Sequence, residues 1–180
     1  MLLWIDLETT GLNSRHDYIL EVAWSITDNG GSGDDRVESH VIRPTASVWH
    51  MIPQTPFVYE MHETSGLLAD LEQPTGLASL QEVEAAVIKD MDYYGDDEPW
   101  MLAGFSVHFD KGFIEEHMPH LFERLSHRIF DVSTLRTFFR PFGFVSEHEN
   151  LAKHRAAHDV MESMSVARGY MNQLNNLVKA

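Results

Sequence analysis

The stretch that most constrains the fold is Met1 to Leu12, MLLWIDLETTGL. Leu2, Leu3, Trp4 and Ile5 form a short unbroken apolar run, the pattern of a strand buried on both faces. Asp6 and Glu8 follow, separated by Leu7. Side chains alternate along a strand, so the two carboxylates point to the same side. Placed together at the end of a buried strand they repel each other, unless a cation sits between them. A hard divalent ion with oxygen ligands is the simplest such cation. The other reading is a strand that ends in a solvated polar turn, and D-x-E alone does not separate the two.

The rest of the chain places this strand in a wider pattern. Tyr18 to Thr27 reads as a second strand, Asp28 to Arg36 as a long Gly/Asp-rich hairpin, and Val37 to Arg43 as the returning strand. Pro44 to Pro56 holds three prolines and reads as an irregular connector. Phe57 to Leu71 is expected to be helical in two pieces, broken near Ser65 and Gly66. Leu80 to Tyr93 is an amphipathic helix with Val83, Val87, Ile88 and Met91 on one stripe. Pro99 to Gly104 reads as a buried strand and His108 to His117 as a helix stopped by Pro119. Arg128 to Val132 reads as a short strand, and a helix runs from Ser133 to about Phe139. Phe142 to Asn150 is expected to be a loop, and Ala152 to Leu177 to contain a long terminal helix. The expected fold is α/β: a mixed five-stranded sheet, with a three-strand meander followed by alternating helices and strands. No linker or repeat divides the 180 residues, so a single domain over 1–180 is expected.

Composition limits what such a domain can do. The net charge is −15, which argues against an extended phosphate-neutralising footprint for long nucleic acid. A short substrate held by metal ions and a few donors remains open. The absence of cysteine excludes disulfides, thiolate metal sites and cysteine nucleophiles, and it suits a reducing, cytoplasmic setting. No run approaches the ~20 apolar residues of a membrane helix, and no secretory leader is expected.

Further candidate groups lie downstream. Asp110, in GFSVHFDKGFI, falls near the start of the helix after a buried strand. It is either a site carboxylate or a first-turn Asp that complements the helix dipole. His154 and Asp159, in HRAAHD, are five residues apart, about 140° around a regular helix. They can share a site only if His154 precedes the helix, where it could act as a general base. His154 and His158 have the alternative i, i+4 spacing of a zinc pair. Arg128, Asp131, Ser133 and Thr134 surround a strand-to-helix junction. They form either a phosphate pocket at the helix N-terminus or an ordinary cap with Asp131 or Ser133 as N-cap.

Together WIDLETTGL, GFSVHFDKGF and HRAAHD resemble, in order, the three exonuclease motifs of the DEDDh family. Matched residue by residue, the four carboxylates are Asp6, Glu8, Asp110 and Asp159, and the histidine is His154. Within that family the chain is most similar to the oligoribonucleases, through MHETSGL, HMPHL and HRIFDVSTLR. Phe57 and His127 stand where that group has tryptophan and tyrosine, and DLETTGL is closer to proofreading-type exonucleases. The resemblance implies a ribonuclease H-like fold, a homodimer, and 3′-to-5′ release of nucleoside 5′-monophosphates from short RNA or DNA. It implies two Mg²⁺ or Mn²⁺ ions held by the four carboxylates, with Asp6 expected to bridge them and His154 acting as base. By the same carry-over, Leu12 and Phe57 wedge between bases, and Ser106, Arg128 and Ser133, with His62, surround the 5′-phosphate. The alternatives are a broader single-strand exonuclease of the proofreading type, a non-catalytic nucleic-acid binding module, and a zinc protein built on His154 and His158.

Overall fold

The computed structural model describes residues 1–33, 36–95, 99–144 and 154–179. Its centre is a five-stranded sheet of β1 (Leu2–Thr9), β2 (Ile19–Thr27), β3 (Glu38–Val41), β4 (Trp100–Gly104) and β5 (Leu125–Asp131), in the order β3-β2-β1-β4-β5. The first three strands form the expected antiparallel meander, and β4 and β5 add in parallel beyond β1. β1 is therefore the central strand, and its apolar run is buried on both faces as the sequence requires.

Alternation along β1 divides the core in two. Leu3, Ile5 and Leu7 pack on the face covered by α4 (Leu80–Tyr94), α5 (His108–His117) and α6 (Pro119–Phe122). Leu2 and Trp4 face the opposite layer, where α7 (Val132–Phe139) and α8 (Ala156–Lys179) contribute Val132, Ala156, Val160, Met164 and Tyr170. Trp4 satisfies its indole N–H on Thr27 Oγ1 at 2.9 Å and meets Phe130 edge-on. Asp6 and Glu8 continue the Leu2–Trp4 side and so point toward α8.

Pro44 to Pro56 is not an irregular connector. It holds α1 (Ala46–Met51), N-capped by the Thr45 side chain, and a 3₁₀ turn over Ile52–Gln54. Pro53 and Pro56 occupy first-turn positions, where a missing N–H costs nothing, so they begin these elements instead of breaking them, and Pro44 precedes the Thr45 cap. Val48 and Ile52 are buried with Leu20, Leu67 and Leu71 beneath α2 (Pro56–Ser65) and α3 (Leu67–Leu71). The expected break between α2 and α3 falls at Gly66, whose φ of 81° suits glycine. Pro119 likewise opens α6, and β5 begins three residues before the expected Arg128. The expected hairpin at 28–36 and loop at 142–150 fall partly outside the described residues. Among the described residues, no helix is long and apolar enough to cross a membrane.

Candidate active site

The carboxylates meet where β1 outruns β4. The parallel ladder ends at Trp4 and Ala103, leaving the next part of β1 without a strand on that side. α5 fills the place. Asp110, in its first turn and almost fully buried, accepts the Leu7 N–H on Oδ1 at 3.0 Å. The chain must come close to β1 to do this: a Cβ on Gly104 would lie 2.9 Å from the Ile5 carbonyl oxygen. Asp110 thus serves the backbone as well as the cluster, which a first-turn dipole role alone would not require.

His154 lies before α8, in the left-handed region at φ 49°. That position removes the 140° conflict. The ligand atoms of Glu8, His154 and Asp159 all lie within 4.8 Å of one another. His158 instead pairs with Asp159, Nδ1 to Oδ1 at 3.5 Å. Among the described residues, no candidate metal-binding group contains both histidines, so the zinc-pair spacing does not become a site.

The electrostatics of the cluster follow from crowding in a dry place. Burial, then the carboxylates of Asp110, Asp159, Glu8 and Glu21, hold Asp6 well above the usual carboxylate range. Burial, followed by Asp159, Glu21 and Asp110, pushes Glu8 up to about 8, while Arg155 pulls the other way. Burial also raises Asp110 to about 8, against the hydrogen bond from Leu7. Asp159 is raised by burial and held back by His158. Several buried oxygens that resist ionisation together are the donor chemistry of a hard divalent cation, which restores their charge. The residues present fit such an ion.

The substrate-contact candidates separate into groups. Leu12, 83% exposed, lies four residues beyond Glu8, and Phe57 is 75% exposed. Phe57 lines a groove of about 570 Å³ with Met61, Ser65, His154 and Arg155. Ser106 and Ser133 meet, Oγ to Oγ at 3.1 Å, and the Ser106 N–H donates to Ser133 Oγ at 3.0 Å. Arg128 is exposed on β5, the edge strand, three residues before Asp131. The reading of this junction as open helix N–H groups needs correction. Asp131 is the N-cap of α7, and its Oδ1 accepts from Ser133 N at 2.8 Å and Thr134 N at 3.2 Å. What remains for an anion there is the hydroxyls of Ser106 and Ser133.

His62 does not belong with them. Its ring is fully buried, with Nε2 2.8 Å from the Thr9 carbonyl and Nδ1 3.7 Å from Glu8 Oε2. A carbonyl only accepts, so Nε2 carries the hydrogen. Burial holds the imidazole below its usual pKa range. His62 supports the end of β1 from behind and offers no surface to a phosphate.

Two residues at the site escaped the motif reading. Glu21 is 1% exposed and directly opposite Glu8 on β2. Arg155 donates to it from Nε at 3.1 Å and Nη2 at 3.0 Å. The signal available was a lone glutamate inside YILEVAWSIT, a charge in a strand that is otherwise apolar along its core.

Four carboxylates and a histidine gathered at one end of a mixed sheet are a donor set suited to divalent cations. A family model described as RNase_T, Exonuclease, matches residues 3–167. Oligoribonuclease of Corynebacterium glutamicum is 35% identical over 171 residues, 91% of this chain and 74% of that protein. Oligoribonuclease of Corynebacterium diphtheriae is 37% identical over 91% of this chain and 78% of its own length. The mitochondrial oligoribonuclease of Mus musculus is 31% identical over 96% of this chain. Among solved structures, exonuclease I from Methylocaldum szegediense superimposes with a TM-score of 0.64 at 18% identity, covering 98% of this chain and 41% of that one. A zinc-bound complex of Escherichia coli exonuclease I with single-stranded DNA gives a TM-score of 0.67 at 15% identity. This chain spans about two fifths of these exonuclease I chains, 41% and 42%, and shares their fold. The chain belongs to the RNase_T exonuclease family, whose members depend on divalent metal.

Proposed function

We propose that this chain, acting as one exonuclease domain, removes nucleoside 5′-monophosphates from the 3′ end of short single-stranded RNA and DNA. The observation that carries the reading is the approach of Glu8, His154 and Asp159 within 4.8 Å, beside Asp6 and Asp110. Asp6, Glu8, Asp110 and Asp159 are the residues that would hold two Mg²⁺ or Mn²⁺ ions. When bound, such ions acidify water and neutralise charge on the reacting phosphate. His154, on the backbone turn ahead of α8, accepts the proton of the attacking water. Asp110 keeps its carboxylate aimed through its bond to Leu7. Leu12 and Phe57 separate the terminal bases. Ser106, Ser133 and Arg128 take the 5′-phosphate, and its distance from the site sets the length preference. A homodimer and a cytoplasmic setting belong to the same proposal, the first resting on similarity to oligoribonucleases and the second on the cysteine-free composition.

One observation favours a second reading, a broader single-strand exonuclease. Asp131 already occupies the first N–H groups of α7, which leaves fewer donors for a terminal phosphate. A cleavage time course separates the two, using 5′-labelled RNA and DNA from two to about twenty nucleotides with Mn²⁺, Mg²⁺ or EDTA. EDTA-sensitive cleavage of the shortest oligomers alone supports the first. Equal rates at all lengths support the second, and no cleavage with either metal refutes both.

A further inference from the structure

Whether His154 reaches Glu8 depends on where α8 begins. The buried carboxylate of Glu21 holds that point. Glu21 Oε2 accepts the Ala156 N–H, in the first turn of α8, at 3.0 Å. The same carboxylate takes Arg155 through Nε and Nη2, and accepts Ser39 Oγ at 3.1 Å. Arg155 also reaches Asp70 Oδ2 on α3 at 2.8 Å. So β2, α3 and the start of α8 are joined at one arginine, next in sequence to His154.

The placement is costly on its own terms. Glu21 is the direct cross-strand partner of Glu8, and two carboxylates in that relation repel whenever Glu8 is ionised to hold a cation. Buried ion pairs are often no better for stability than apolar residues of the same volume. Stability alone is therefore a weak reason for an acid here. Geometry gives a stronger one. The pair ties the helix that carries Asp159, and the left-handed residue that carries the imidazole, to the strand beside Glu8.

We infer that Glu21 and Arg155 are positioning residues for hydrolysis, clamping the first turn of α8 to β2 so that His154 and Asp159 meet Glu8. The inference rests on the exonuclease reading of the site. Its test uses the full chain, with Arg155→Ala, Arg155→Lys, Glu21→Gln and the double variant His154→Ala/Arg155→Ala. On a short 5′-labelled RNA with Mn²⁺, Arg155→Ala should lower kcat about 10–100-fold, because a misplacement of about 1 Å is enough. KM should change less than kcat, because the Arg155 guanidinium is committed to Glu21 and Asp70. Arg155→Lys should recover part of the loss, and the double variant should lose less than the two single losses multiplied together. A second readout needs no turnover. Saturating Mg²⁺ should shift the ring resonances of His154 in the wild-type protein, a short-range effect, and Arg155→Ala should alter that shift. If Arg155→Ala does not stay folded at the assay temperature, Glu21→Gln carries the same two expectations. Unchanged kcat, a loss confined to KM, or a Mg²⁺-induced His154 shift identical to the wild type in both variants would overturn the inference. A wild type that shows the Mg²⁺-induced shift, altered in the variants, but cleaves nothing would count against the exonuclease reading and leave the clamp standing.

Discussion

Glu8 and Glu21 face each other across the β1–β2 ladder, both almost fully buried, with one carboxylate in the candidate metal site and the other tied to Arg155. The difference in partners separates their roles. Glu21 has an arginine, a backbone N–H and a hydroxyl as donors. Among the described residues, Glu8 has an imidazole nitrogen of His62 at 3.7 Å as its ion-pair partner, and its pKa is raised to about 8. A cation is what Glu8 lacks.

Metal binding should therefore release protons. Glu8 rises from 4.5 to about 8 and Asp110 from 3.8 to about 8, so near neutrality both hold protons in the metal-free fold. A bound cation needs them ionised, and its affinity should climb with pH until about 8 and then level off. The sign for stability is the reverse. The folded state binds protons that the unfolded chain has already lost, so metal-free stability should fall as pH rises from about 4.5 to about 8. Titrating Mn²⁺ into the protein at pH 7, in two buffers of different ionisation enthalpy, measures the release. Equal heats in the two buffers would contradict it.

Asp6 should be needed for turnover and dispensable for folding. It is half-buried at the end of β1, and three neighbouring site carboxylates plus Glu21 repel it. Asp6→Ala removes that repulsion, so the metal-free melting temperature should stay level or rise. Turnover should drop below a few per cent, and the melting shift produced by Mn²⁺ should shrink. Substantial residual cleavage would remove Asp6 from the ligand set. His154→Ala should cost roughly 10²–10⁴-fold at neutral pH with the metal-induced shift largely kept, and an unchanged rate would assign the base elsewhere.

The parts of this site that were legible in the sequence are those set by local period. Alternation in LLWIDLET puts Asp6 and Glu8 on one side of a strand, and the α8 start explains how His154 and Asp159 meet despite their spacing. Burial and long-range partners were not legible. His62 sits in a motif that suggested a phosphate contact, yet its ring lies behind Thr9, a fact set by the packing of α2. Glu21 reads as an ordinary polar break in a strand until Arg155 arrives from 134 residues away. Pro53 and Pro56 look like breakers because first-turn positions cannot be told from interior ones before the helices are placed.

His62 should then matter to the fold and not to phosphate recognition. His62→Leu leaves the Thr9 carbonyl buried without its donor, a loss of about 1–3 kcal/mol. Thermal melting should register a drop of several degrees. The ratio of KM values for 5′-phosphorylated and 5′-hydroxyl dinucleotides should not change. A selective rise for the phosphorylated substrate would return His62 to the phosphate pocket.

The residues left to hold a terminal phosphate are Arg128, Ser106 and Ser133, and they make opposite demands on substrate and fold. Arg128 is exposed on an edge strand, so Arg128→Ala should leave melting unchanged. A hydrogen bond to a charged group contributes about 1.5–3 kcal/mol, so KM for a 5′-phosphorylated dinucleotide should rise roughly 10- to 100-fold. Ser133→Ala removes a hydroxyl that also accepts the Ser106 N–H, and should raise the same KM with a small fall in stability. Neither change should affect a dinucleotide with a 5′-hydroxyl. On longer strands the 5′-phosphate lies beyond reach of the pocket, and the variants should match the wild type. If instead both variants slow every length equally, the contacts lie along a continuous groove, and the broader exonuclease becomes the better description of this chain.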